Sequence, residues 1–210
     1  MRDEIVRACR ALTDEGLVVA TAGNVSVRTD HGMLITPSGL PYASMTAADV
    51  VAVDGEGHHD PAGPLPSSES DLHLAAYRAD PAANAVVHFH GRWTSAVAST
   101  ERDAMPATHY YAARLDAPIP IAPYAHFGSP ELARSVGGAL ATHRAALMAN
   151  HGATVTGSSL FEAMDNARLL EWLCRLHMDT GAPPERITLT DTQLSEVART
   201  YARRRQRIAQ

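Results

Sequence analysis

Residues 85–90 read Ala-Val-Val-His-Phe-His, and the alternation of side chains within them decides the fold. In an extended chain successive side chains point to opposite faces, so Val86, His88 and His90 share one face while Val87 and Phe89 share the other, Phe89 toward the core. The stretch reads as a strand. Immediately upstream, Leu72, Ala75, Ala76 and Ala79 recur at helical spacing in SSESDLHLAAYRAD (67–80), with Ser68 and Asp71 as a capping pair and Pro81 as the stop. A Pro/Gly-rich loop over 61–66 leads into that helix.

Further upstream, VVATAG (18–23), VSVRT (25–29) and GMLIT (32–36) are short β-type runs. Asp30-His31-Gly32 turns the last two into a hairpin, and a second hairpin is expected at Asp54-Gly55. Ile5, Ala8, Cys9 and Leu12 mark a helix over residues 3–15 that ends at Gly16. Downstream of the central strand a helix is expected from Thr94, and the three prolines between 118 and 124 suggest an extended loop. A helix capped by Ser129, with Glu131 in its first turn, precedes a strand AALMANHG (145–152). Ser159 and Glu162 open a long helix to about Thr180, broken by Gly181 and Pro183-Pro184, and a last helix from near Thr190 ends in the basic run ARRRQRI. Hairpins mixed with helices, without steady βαβ repetition, give an α/β protein in one domain over residues 1–210, with a central, largely antiparallel sheet flanked by helices.

Composition narrows the function. A formal net charge of −5 over 210 residues provides no broad basic field, which argues against nucleic acid as a partner. There is no apolar run of about 18 residues and the N-terminus is charged and amphipathic, so a cytoplasmic protein with no membrane partner is expected. Cys9 and Cys174 read as buried thiols.

The chemistry starts with His88 and His90, whose rings can converge on one ion from one face of a strand. A half-buried strand with two hydrogen-bonded histidines would look the same, but His151, at the end of another apolar run and followed by Gly152, offers a third imidazole. Three neutral histidines with an exchangeable fourth position form the pattern of a catalytic zinc site. Glu69 stands at a helix start, where a carboxylate ordinarily favours the helix dipole. Ser67 and Ser68 beside it would suit a phosphate, and the turns Gly23-Asn24-Val25-Ser26 and Pro37-Ser38-Gly39 could close on the same anion.

TAGNVSVR, GMLITPSGLPY, PSSES, the stretch YRADPAANAVVHFH, ATHYY, APYAHFGSPEL and NHG occur in this order, and together they resemble the class II aldolase/adducin family over nearly the whole chain. The resemblance implies a three-layer α/β/α fold in which His88, His90 and His151 bind Zn2+, while Glu69 is both a displaceable ligand and the acid/base. It implies phosphate binding at Gly23, Asn24, Ser38, Gly39, Ser67 and Ser68. It also implies that Tyr110 reaches the active site of a neighbouring subunit in a homotetramer with active sites at subunit interfaces. The reaction so implied is cleavage of a phosphorylated sugar, a ketose phosphate, to dihydroxyacetone phosphate and a short aldehyde through an enediolate. The family also suggests a sugar-phosphate 4-epimerase of the ribulose-5-phosphate type, or a metal-free adducin-like binding domain. Gly91-Arg92-Trp93, the segment Ala112 to Pro118, and a tail with Tyr201 followed by Arg203, Arg204 and Arg205 depart from the family's aldolase pattern.

Overall fold

The computed structural model describes residues 1–181 and 186–208. Its strands are β1 (Asn24–Thr29), β2 (Gly32–Ile35), β3 (Val51–Asp54), β4 (Ala85–Phe89), β5 (Ala104–Met105), β6 (Ile119–Ala122), β7 (Ala145–Met148) and β8 (Gly152–Gly157). They form one sheet in the order β3-β2-β1-β4-β8-β7-β6-β5. Every pairing is antiparallel except β6 with β7. The helices are α1 (Arg2–Asp14), α2 (Ser70–Ala79), α3 (Arg92–Thr100), α4 (Pro130–Leu140), α5 (Leu160–Asp179) and α6 (Asp191–Ile208), with a 3-10 helix at Tyr110–Leu115.

Alternation along the strands builds two cores. Val87 and Phe89 of β4, with Val155 of β8 and Leu147 of β7, pack against Ile5 and Leu12 of α1, Val97 of α3 and Leu170 of α5. Val86, Ala146 and Met148 face the other way, against Leu72 and Ala76 of α2 and Leu132 and Val136 of α4. The sheet is therefore the middle of three layers, as the fold reading expects. On the second face α2 and α4 touch closely at Gly137, where a Cβ would lie 3.0 Å from that of Ala75. Phe89 is fully buried, and truncating it to Ala would cost about 3–5 kcal/mol.

Several elements differ from the sequence reading. VVATAG is not a strand: the segment turns, with Ala20 and Gly23 at φ 54° and 88°. It passes so close to β4 that a Cβ on Gly23 would sit 2.9 Å from the carbonyl oxygen of His88. The Asp54-Gly55 turn does not return a second strand. Asp54 accepts from the amides of Glu56 and His58 in a tight turn, and β3 pairs with β2 alone. The capping pair Ser68/Asp71 does not form, because the N-cap of α2 is Glu69.

The proline-rich stretch at 118–124 contains β6, since Ile119 and Ile121 point into the core and the amide of Ile121 donates to Asp103. AALMANHG is a strand plus a tight turn, and GATVTG behind it is the unforeseen β8. Ser129 and Ser159 cap α4 and α5 as expected, and both cysteines are buried and free. Pro183 and Pro184 lie outside the described residues. No helix among the described residues is long and apolar enough to cross a membrane.

Candidate active site

β4 carries His88 on the face of the sheet shared with α2 and α4, fully buried beside Asn24 of β1 and Thr154 of β8. Its Nδ1 donates to the carbonyl of Ala153 at 3.0 Å, which fixes the ring and turns Nε2 toward the site. His90 follows the strand end, and its own amide donates to Leu17 at 2.9 Å. Glu171 accepts from the amides of Trp93 and Thr94 at 2.8 and 2.9 Å, fixing the start of α3 just beyond His90. His151 sits in the β7–β8 turn, reached through Asn150 at φ 55°, a left-handed conformation that Asn tolerates. Gly152 lets that turn press against β4, for a Cβ there would lie 2.5 Å from the carbonyl oxygen of Phe89.

The three rings meet edge to face with centroids 4.7, 5.0 and 4.9 Å apart, and one nitrogen from each lies within 4.8 Å of the others. Burial, then His88 and His151, pull the His90 imidazole down to about 3, and burial followed by His88 lowers His151. A ring kept neutral in this way offers a lone pair, which is the form a metal requires.

Glu69 lies 5% exposed over these rings, with Oε2 3.1 Å from His88 Nε2 and Oε1 3.6 Å from His151 Nε2. Burial opposes its ionisation, but His88, a hydrogen bond from Asn24 and the more distant His151 outweigh that and hold the carboxyl well below the usual carboxylate range. Oε1 is buried without a hydrogen-bond partner. A carboxylate oxygen left open beside three imidazole nitrogens is the donor set that suits a divalent cation.

The site opens into a cavity of about 350 Å³ that runs from His90 and His151 to Ser38, Gly39, Ser67 and Ser68. Two turns form its far wall and are clasped together. The amide of Ser38 donates to Leu65 at 2.9 Å, that of Ser67 donates to Thr36 at 3.0 Å, and Pro37 and Pro66 bridge. Tyr42 donates to the carbonyl of Gly23 at 2.7 Å and steadies the third turn. Glu69, the three histidines and the three small-residue turns are thus brought together. Tyr110 is not among them: it lies 47% exposed on the 3-10 helix, stacked on His109 in an aromatic cluster with Tyr111 and Trp172.

The sequence reading missed Thr21, Tyr124 and Phe127, which also line the cavity. It missed His73 as well, buried four residues after Glu69, where burial and then His88 pull its imidazole down to about 3. The helical spacing of Glu69 and His73 and the strand spacing of Asn24 and Ser26 were the available signals.

The profile of the family described as Class II Aldolase and Adducin N-terminal domain matches residues 3–178. The chain is 42% identical over 196 residues to L-fuculose phosphate aldolase of Escherichia coli strain K12, covering 92% of this chain and 90% of that protein. It is 40% identical over 182 residues to the 5-methylthioribulose-1-phosphate/5-deoxyribulose-1-phosphate aldolase of an Escherichia coli O45:K1 strain, covering 86% of this chain and 84% of that protein. It is also 33% identical over 202 residues to the 3-oxo-tetronate 4-phosphate decarboxylase of Haemophilus influenzae, covering 93% of this chain and 95% of that protein. A solved L-fuculose 1-phosphate aldolase superposes with a TM-score of 0.90 at 28% identity, covering 96% of this chain and 95% of that one. The chain belongs to the class II aldolase and adducin family, and it is an enzyme of the lyase class.

Proposed function

We propose that this lyase is a zinc-dependent aldolase, cleaving L-fuculose 1-phosphate or a similar deoxy-ketose phosphate to dihydroxyacetone phosphate and a short aldehyde. The observation that carries the reading is the shape of one cavity. At one end stand His90 and His151, grouped with the buried His88, and the open Oε1 of Glu69, and at the other stand turns of small hydroxyl-bearing residues.

His88, His90 and His151 would hold the ion, with Glu69 as a displaceable fourth ligand; an all-imidazole set suits zinc. Such an ion supplies electrophilic stabilisation for negative charge developing on the ketose oxygens. Ser67 and Ser68 at the start of α2, with Gly23, Asn24, Ser38 and Gly39, bind the phosphate by neutral donors, in keeping with the negative net charge. That grip orients the ketose, so remote binding energy is used at the reacting carbons. Glu69 moves the proton at the carbon that becomes the dihydroxyacetone phosphate methylene, taking it away in the condensation direction as an ionised carboxylate.

The proton of the cleaved hydroxyl needs a second group on the opposite side of the bond. Tyr110, exposed on its own subunit, serves that role in the cavity of a neighbouring copy, within a homotetramer. Buried free thiols fit a cytoplasmic location.

The test is a panel of phosphorylated ketoses offered to the zinc-loaded protein, with dihydroxyacetone phosphate and carbon dioxide measured separately. Release of dihydroxyacetone phosphate from a 1-phosphoketose supports the proposal. Dihydroxyacetone phosphate released together with carbon dioxide from an added oxo-acid phosphate, with no 1-phosphoketose cleaved, would replace it with the activity named for the Haemophilus relative. Interconversion of pentulose phosphates without cleavage would replace it with a 4-epimerase.

A further inference from the structure

A buried line of hydrogen bonds leaves Glu69 and runs beneath the cavity floor into the interface between the sheet and α2. Asn24 Nδ2 donates to Glu69 Oε2 at 3.0 Å, and Asn24 Oδ1 meets His73 Nε2 at 2.5 Å. His73 Nδ1 meets the Ser26 hydroxyl at 2.6 Å, and that hydroxyl meets the Tyr77 phenol at 2.8 Å. No member of the line is more than 5% exposed.

The direction of every bond is forced by the first. A carboxylate oxygen only accepts, so the amide nitrogen of Asn24 must face Glu69 and its carbonyl oxygen must face His73. His73 then donates from Nε2, and as a neutral ring it accepts at Nδ1. Ser26 therefore donates to His73 and accepts from Tyr77. Each donor along the line points toward the carboxylate.

We propose that His73 is a positioning residue for the lyase reaction. Held as the Nε2–H tautomer, with Ser26 and Tyr77 satisfying its Nδ1, it keeps the Asn24 amide in the one orientation that donates to Glu69 Oε2, so that Oε1 is the oxygen presented to the cavity. The proposal rests on the reading of Glu69 as the acid/base. Oε2 is tied down while Oε1 is buried without a partner. A free glutamate would exchange its two oxygens by rotation about its last torsion, and anchoring one of them removes that freedom before substrate arrives. Seating α2 on the sheet does not by itself call for this line, because Leu72 and Ala76 already make an apolar contact on the same helix face.

The experiment compares His73→Met, His73→Gln and Ser26→Ala with the parent, with Glu69→Gln as a reference. Histidine tautomers are read first by nitrogen-15 NMR on the metal-free protein. The parent is expected to show His73 protonated at Nε2, and Ser26→Ala to shift the Nδ1 resonance as its hydrogen bond is lost. In steady-state assays of the zinc-loaded proteins, His73→Met and Ser26→Ala should lower kcat by about tenfold to 10²-fold, with KM for the ketose phosphate within about twofold and metal content unchanged. His73→Gln, whose amide nitrogen can stand where Nε2 stood, should recover most of that loss. If His73→Met does not fold, Ser26→Ala and the tautomer spectrum still decide. An Nδ1–H tautomer in the parent, equal losses in the Met and Gln variants, or a change in KM with kcat intact would overturn the proposal. Normal kcat in His73→Met and Ser26→Ala beside an inactive Glu69→Gln would overturn it while leaving the acid/base reading in place. Normal turnover in Glu69→Gln would remove both.

Discussion

At the scale of single residues, the site depends on two chemistries that one substitution each can separate. Glu69→Gln keeps the shape of the side chain and three imidazoles, but it cannot take up a proton. The expected outcome is a folded protein that retains metal and loses about 10²–10⁴ in turnover, checked by metal content, thermal melting and ketose-phosphate cleavage on one preparation. An ordinary helix-start glutamate would instead cost only about 0.3–1 kcal/mol of stability and leave turnover near normal. His90→Ala should do the reverse in origin: with two imidazoles and a movable carboxylate left, the ion is lost and activity follows, read by elemental analysis after gel filtration. The histidine triad was legible because His88 and His90 obey the two-residue period of a strand and His151 precedes a glycine that the structure shows pressed against Phe89. His73 was not legible. Local spacing pairs it with Glu69 on the helix and pairs Asn24 with Ser26 on the strand, but the two pairs meet across 49 and 47 residues of sequence, and nothing local records that meeting.

At the scale of elements, three turns of unremarkable composition are brought to one cavity by strand pairing and by the Pro37–Pro66 bridge. If its far wall holds phosphate, Ser67→Ala combined with Ser68→Ala should weaken binding of a phosphorylated ketose by about 1–3 kcal/mol, while binding of the dephosphorylated sugar barely changes. Inhibition by inorganic phosphate in the parent and variant measures the difference directly. The elements that sequence reading misjudged each have a physical cause. β6 is covered almost throughout and carries Pro120, while β8 alternates Ala153 and Val155 with Thr154 and Thr156 but is short, bounded by glycines and buried on both faces. VVATAG has the composition of a strand, but β4 passes too close at Gly23 and the chain turns away. Capped helices fared better, because Ser129 and Ser159 act within their own first turns.

At the scale of the whole molecule, one group named for the reaction stands away from the cavity on the same chain. Tyr110 and its neighbours Tyr111 and Trp172 present an exposed aromatic face. If this face packs against a second copy and delivers the phenol there, the active site is shared between chains. Two inactive proteins should then complement each other: Glu69→Gln and Tyr110→Phe, dissociated together and reassembled, should recover a fraction of parental activity that neither shows alone. No recovery, with mixed assemblies verified by mass spectrometry, would place the tyrosine outside the reaction or within its own subunit.

The three histidines also come from distant parts of the chain, two at the end of β4 and one in the β7–β8 turn, with Glu69 standing where α2 begins. An ion held among them acts as a rivet through sheet and helix, so occupancy becomes a mechanical property of the domain. At a free metal concentration of 100 times its dissociation constant, the native state gains about 2.7 kcal/mol by mass action alone. The gain should appear as slower amide hydrogen exchange along β4, β8 and the first turn of α2, and should vanish in chelator. These strands occupy the middle of the sheet, between β1 and β7. Scarcity of metal would thus loosen the sheet from its centre outward, leaving the edge strands as the last part of it to report the loss.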